Sequence, residues 1–183
     1  MPGYPRIVLW SRDKTGALRR LYREHVDAVY AFFAYHVPGP YAEDLTSATF
    51  ERVVRAWRSY DRRLASERTW ILTIARNLLT DHYRRQAHRD MISTDEHPGL
   101  LDLSIAPEEA LDGLLSADGV RSLLAPLDER ERAVVALRYG ADLSAIEVAA
   151  VLGLTPANVH QIASRALRRL RSELETEALS RSA

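Results

Sequence analysis

The side chains best suited to chemistry in this 183-residue chain lie between Thr155 and Arg171. Asn158, His160, Gln161 and Ser164 carry hydrogen-bonding groups, Arg165, Arg168 and Arg171 carry fixed positive charge, and no acid interrupts them. At about 100° per residue, Val159, Ile162, Ala163, Ala166 and Leu170 gather on one face of a helix. Gln161, Ser164, Arg165, Arg168 and Arg171 fall opposite, with Asn158 and His160 on the rims near the helix start. Amides and hydroxyls at the front match base edges in a major groove, and arginines behind match phosphates. The competing reading is an ordinary amphipathic helix with a solvated arginine face.

The flanking residues decide between the two. Ser144 can cap a preceding helix, and Glu147 three residues later completes a capping box. Val148, Ala149, Val151 and Leu152 supply that helix with an apolar face, and Gly153 suits its left-handed end. Thr155 then caps the next helix with Pro156 at its first position, where a missing N–H costs nothing. Helix, glycine turn and second helix make the DNA-binding helix-turn-helix layout.

Other chemistry is hard to place. None of His25, His36, His82, His88, His97 or His160 forms a His-x-x-x-His or Glu-x-x-His pair, and no glycine-rich phosphate loop or nucleophile elbow occurs. The absence of cysteine removes disulfides, a thiol nucleophile and thiolate zinc sites. The expectation is a chain that is not an enzyme and needs no metal or cofactor.

Lysine plus arginine equals aspartate plus glutamate at 25 each, yet the charge is segregated. Residues 51–90 hold ten basic and five acidic side chains, and 155–171 hold four basic and none acidic. Between them 91–120 hold seven acids and no lysine or arginine. Two basic blocks around an acidic strip suggest two surfaces facing polyanions. A composition of 46% hydrophobic residues is that of a globular chain. No apolar run approaches the roughly 18 residues of a membrane span, so cytoplasmic location without membrane insertion is expected.

Helical spacing appears in 17–37, 42–57 and from Arg68 into the high 80s, with a break at Pro38-Gly39-Pro40. No period-2 apolar alternation occurs, so no sheet is expected. The periodicity dissolves across the acidic strip, where one helical turn is expected around Pro107–Leu115, and resumes near Val120. The fold expected is all-α: two small helical domains joined by an acidic linker, the C-terminal one a helix-turn-helix. Its divisions are an extension (1–16), a first domain (17–90), the linker (91–118), a second domain (119–174) and a tail (175–183).

Together these blocks resemble the bacterial RNA polymerase sigma factors, specifically the small extracytoplasmic-function class. In the C-terminal block the resemblance rests on Leu127-Asp128-Glu129-Arg130-Glu131-Arg132, Leu143-Ser144, Gly153, and Val159 through Arg165-Ala166. In the N-terminal block it rests on AEDLTSATFERV (42–53) and on Trp70-Ile71-Leu72 through Ile74-Ala75-Arg76-Asn77 and Asp81. The first of those segments is similar to the family's polymerase-clamp contact, which assigns docking to Glu43, Asp44, Leu45, Thr49 and Phe50. Ser47 and Ala48 stand where the family usually has Gln-Glu.

The second segment is similar to the part that captures the melted promoter strand. Trp70, Ile74, Asn77, Asp81 and Arg84 share one helix side, and their carboxamide and guanidinium groups could hold unpaired bases. The resemblance thus assigns the downstream element to Asn77, Asp81, Arg84 and Arg85, although Trp70 and Ile74 also suit a core and Asp81 could simply pair with Arg84 or Arg85. It assigns the upstream element to Asn158, His160, Gln161, Ser164, Arg165 and Arg168. His160 and Ile162 stand where the family often has Lys or Arg.

The implied function is direction of core RNA polymerase to specific promoters and help in opening them. The implied partners are core RNA polymerase, promoter DNA and an anti-sigma factor. The alternative is a stand-alone helix-turn-helix regulator whose N-terminal half senses or dimerises. The Glu43–Val53 and Trp70–Asp81 segments separate the two, since a sensor has no use for them.

Overall fold

The structure is a computed structural model that describes residues 12–92 and 117–181. Every regular element among them is helical: α1 (Arg12–Ala34), α2 (Gly39–Ala56), α3 (Glu67–Ile92), α4 (Ala117–Leu123), α5 (Glu129–Val135), α6 (Ala145–Leu152) and α7 (Pro156–Arg181). A short 3-10 turn, Trp57–Ser59, follows α2, and a π turn, Ala136–Gly140, continues α5. The all-α expectation holds. The helical turn expected around Pro107–Leu115 lies outside the described residues.

Several boundaries differ from expectation for local reasons. Helix α1 starts at Arg12, so part of the supposed extension is already helical. Helix α2 starts at Gly39 with Pro38 as its cap, and Pro40 sits in the first turn, where it removes no needed donor. The Pro-Gly-Pro break is thus also a helix start. Helix α7 runs on to Arg181, so the supposed tail extends the recognition helix.

Sequence chemistry fixes the starts of the C-terminal helices. Asp128 accepts from the Glu131 backbone N–H at 2.7 Å and Glu131 reaches back to the Asp128 N–H, a reciprocal cap for α5. Ser144 and Glu147 repeat the device at α6. In α3, Ser66 Oγ accepts from the Thr69 N–H at 3.1 Å.

The two helical domains pack through a shared core: Leu21, Val29, Phe32 and Phe33 of α1, Val53 of α2, and Ile71, Leu72 and Leu79 of α3 are continuous with Val134, Leu137, Leu143, Val148 and Val159. A smaller cluster of Leu124, Leu127, Val135, Ala166 and Leu170 belongs to the C-terminal helices. Helix α3 lies against α6, and α1 lies against the π turn and α4. The seam is close at Gly140, where a Cβ would stand 2.5 Å from Tyr35 Cε2. Only glycine lets the π turn approach that ring.

Candidate nucleic-acid interface and docking face

Helix α7 is aimed by its turn. Gly153 takes the left-handed conformation at φ 67°, and the Leu154 N–H donates to Ala149 O at 2.9 Å. Thr155 Oγ1 accepts from the Asn158 N–H at 3.2 Å, closing the N-terminus of α7. Val159, Ala163, Ala166 and Leu170 are buried, which fixes the helix's rotation. Asn158, His160, Gln161, Ser164, Arg165 and Arg168 are all exposed on the remaining surface. The six residues expected to meet the upstream element therefore share an open face.

The arginines of α7 divide into two kinds. Arg169 pairs with Glu131 at 2.9 Å and belongs to the framework. Arg168 donates to its own helix at Ser164 O (3.3 Å), and no described carboxylate pairs with Arg165, Arg168 or Arg171. Their charge is uncompensated, as phosphate contact requires.

On α3, Asn77, Arg84 and Arg85 are exposed, while Trp70 and Ile74 pack against the core. Asp81 pairs with Arg52 of α2 at 3.3 Å, not with Arg84 or Arg85. Arg85 instead donates to the Asp81 backbone oxygen at 3.2 Å. The correction has a geometric cause: α2 crosses α3 at Asp81, a contact no helical spacing encodes. Arg52 and Arg55 join Ile74 and Asn77 along a groove of about 370 Å³, adding two cations that sequence reading left out. Their spacing of three within the basic block was the available signal.

Trp70 closes an aromatic cluster at the start of α3. Its ring centroid lies 4.9 Å from Tyr60 and 6.2 Å from Trp57, and Trp57 stacks on Tyr60 at 5.5 Å. The exposed Arg62, Arg63 and Leu64 stand on the loop beside it, where the Tyr60 hydroxyl donates to Ala65 O at 3.0 Å.

Within the docking segment, Glu43 and Asp44 are exposed, but Leu45, Thr49 and Phe50 are buried. The Thr49 hydroxyl donates to Leu45 O at 2.8 Å, and Phe50 meets the Tyr22 ring edge-on at 4.7 Å. These three hold α2 in place. Tyr22 and Ser47, with Phe50, Glu51 and Val54, line a shallow depression beside the acidic pair.

Glu24, His25 and Glu67 bring their ligand atoms within 4.8 Å of one another, a grouping that joins α1 to α3 and so escaped sequence reading. Arg20 occupies that space, bonding Glu24 at 2.6 Å and Glu67 at 2.9 Å. It is an ion-pair network.

Titratable groups at the seam are perturbed. Desolvation pushes the His36 imidazole down to about 4, helped by the nearby Arg132 charge. Hydrogen bonds from the Ser144 backbone and hydroxyl hold the Glu147 carboxyl below its ordinary value, and Arg68 and Thr69 of α3 act in the same direction.

An all-helical chain with a mounted helix-turn-helix, a second basic helix and an exposed acidic pair on α2 is a transcription protein of the promoter-binding kind. Comparison with known families agrees: Sigma-70 region 2 matches residues 21–89, and Sigma-70 region 4 matches 123–172. The chain belongs to the sigma-70 family of RNA polymerase sigma factors and acts in transcription initiation. It is 31% identical over 172 residues to ECF RNA polymerase sigma factor SigL of Mycobacterium tuberculosis, covering 90% of this chain and 92% of that one. It is 32% identical over 163 residues to ECF RNA polymerase sigma factor BldN of Streptomyces coelicolor, covering 88% of this chain but 62% of that longer relative.

Among solved structures the fold is shared with CnrH in complex with the cytosolic domain of CnrY (TM-score 0.65, 24% identity, 88% of this chain and 90% of that). It is also shared with RpoE in complex with the anti-sigma factor NepR from Bartonella quintana (TM-score 0.66, 20% identity, 90% and 98%). The region 2 match fills the place a separate sensor domain would need. No described helix is long and apolar enough to cross a membrane.

Proposed function

We propose that this sigma factor is a dissociable, non-catalytic subunit acting in the cytoplasm, with phosphodiester chemistry left to the polymerase. Its α7 face reads the upstream promoter element: Gln161, Ser164 and Arg165 contact bases, Asn158 and His160 assist, and Arg168 holds phosphate. The groove of Arg52, Arg55 and Asn77, with Arg84 and Arg85 beyond it, takes the melted downstream strand. Asp81 fixes Arg52 at its edge. Glu43 and Asp44 dock on a basic surface of core RNA polymerase, and an anti-sigma factor of the kind that holds RpoE restrains the protein between uses.

The observation that carries this reading is the face of α7. Six hydrogen-bonding or cationic side chains stay exposed there while Val159, Ala163, Ala166 and Leu170 anchor the helix from behind. Run-off transcription with purified core polymerase on a promoter library tests it. A shared upstream element that changes when Gln161 and Arg165 are both replaced by alanine is expected, and an unchanged element would overturn the assignment.

A further inference from the structure

The seam between the two regions forms a half-open cavity that the proposed promoter and polymerase surfaces do not use. It holds about 420 Å³, within the range of small-molecule sites, and contacts between domains are where such sites concentrate. Its walls come from both sides: His36, Arg76 and Leu79 from the N-terminal region, Glu129, Arg130 and Leu152 from the C-terminal one.

His36 shows that the cavity lacks a partner. The residue is 5% exposed, and its Nε2 makes no hydrogen bond. Its Nδ1 lies 2.7 Å from Phe32 O, and a carbonyl only accepts, so Nδ1 carries the hydrogen. Nε2 is then a bare acceptor in a buried wall, which is costly unless something donates to it. Arg76 and Arg130 pair with no described carboxylate, and Glu129 with no described cation.

These groups complement one ligand chemistry. Two guanidinium groups fit a carboxylate, a carboxylate with a bare imidazole nitrogen fits an ammonium, and Leu79 and Leu152 fit an aliphatic or aromatic body. We infer that the seam cavity binds a free apolar α-amino acid, its carboxylate on Arg76 and Arg130, its ammonium on Glu129 and His36, and its side chain between Leu79 and Leu152. Either region alone offers half of the site, so the ligand holds the two regions together.

Calorimetric titration of the full chain with L-leucine and L-phenylalanine tests this, with N-acetyl-L-leucine and L-leucinamide as controls. Saturable binding is expected, with each control weaker by about tenfold or more, since each removes one charge. Glu129 and Arg130 are exposed, so Glu129→Gln and Arg130→Gln leave the fold intact by circular dichroism. Glu129→Gln should erase the preference over N-acetyl-L-leucine, and Arg130→Gln the preference over L-leucinamide. Absence of saturable binding by either amino acid, or preferences unchanged in both variants, overturns the proposal. Promoter-directed transcription is read separately, so failure here leaves the sigma assignment standing.

Discussion

Acidification should loosen this protein most through one buried residue. His36 has an ordinary value of 6.5 in an open chain and about 4 in the folded protein, where it is buried and faces Arg132. Glu129, Arg130 and Arg132 of α5 surround it, with Arg76, Thr80 and Tyr83 of α3, and the Tyr83 hydroxyl donates to His36 O at 3.1 Å. The folded state resists protonation, so the unfolded state binds the extra proton between those values. Stability is therefore full above 6.5 and falls as pH drops toward 4. The whole window is worth about 3 kcal/mol, at roughly 1.4 kcal/mol per unit, and about 2 kcal/mol is lost between about pH 7.5 and about pH 5. Urea denaturation of wild type and His36→Gln across that range measures it. His25 and His82 are also lowered by burial and remain in both proteins, so the difference between the two slopes isolates His36. Parallel slopes would refute the reasoning, because burial at the seam would then cost the charged form nothing.

Three further outcomes follow from the geometry. Gly140→Ala should destabilise by about 1–3 kcal/mol through overpacking on Tyr35, and adding Tyr35→Ala should recover part of that loss in a double-mutant cycle; strictly additive effects would mean that the two do not meet. Arg165→Ala should cost about 1–3 kcal/mol and relax preference at one upstream position, whereas Arg168→Ala should weaken binding to all sequences and lower the salt slope, both read by binding titrations over a range of salt. Asp44→Arg should abolish co-purification with core polymerase while leaving the melting temperature near wild type, and Thr49→Val should do the reverse; holoenzyme formed by Asp44→Arg at wild-type affinity would move the docking face elsewhere.

Local chemistry was legible in the sequence and long-range contact was not. Ser144, Glu147, Gly153 and Thr155 announce their helix ends through bonds to neighbours three to five residues away, so the helix-turn-helix and its open face could be read directly. Pro38-Gly39-Pro40 was legible as a break but not as a start, since the same residues serve both. The Asp81 pairing with Arg52 spans 29 residues, and Gly140 meets Tyr35 across the seam. Leu79 and Leu152 look like ordinary stripe residues, and nothing in their spacing says that they share one core. The acidic strip marked a linker between two domains, but only the structure shows buried Leu79 and Val148, with Leu152 packed against them, closing the domains on each other.

Helix α3 links these places mechanically. It runs for 26 residues from Glu67 to Ile92 without proline or glycine, a bar roughly 39 Å long at about 1.5 Å per residue. Its first turn is wedged into the Trp57–Tyr60–Trp70 cluster, and its later turns carry Leu79, Thr80 and Tyr83 at the seam. A bar with no hinge cannot absorb a displacement along its length. A tilt of about 10° about one end would swing the other by about 7 Å on that length. Whatever shifts the C-terminal region against α3 is therefore carried along the helix, to the arginine groove that begins beside the seam at Asn77 and to the aromatic cluster at its start.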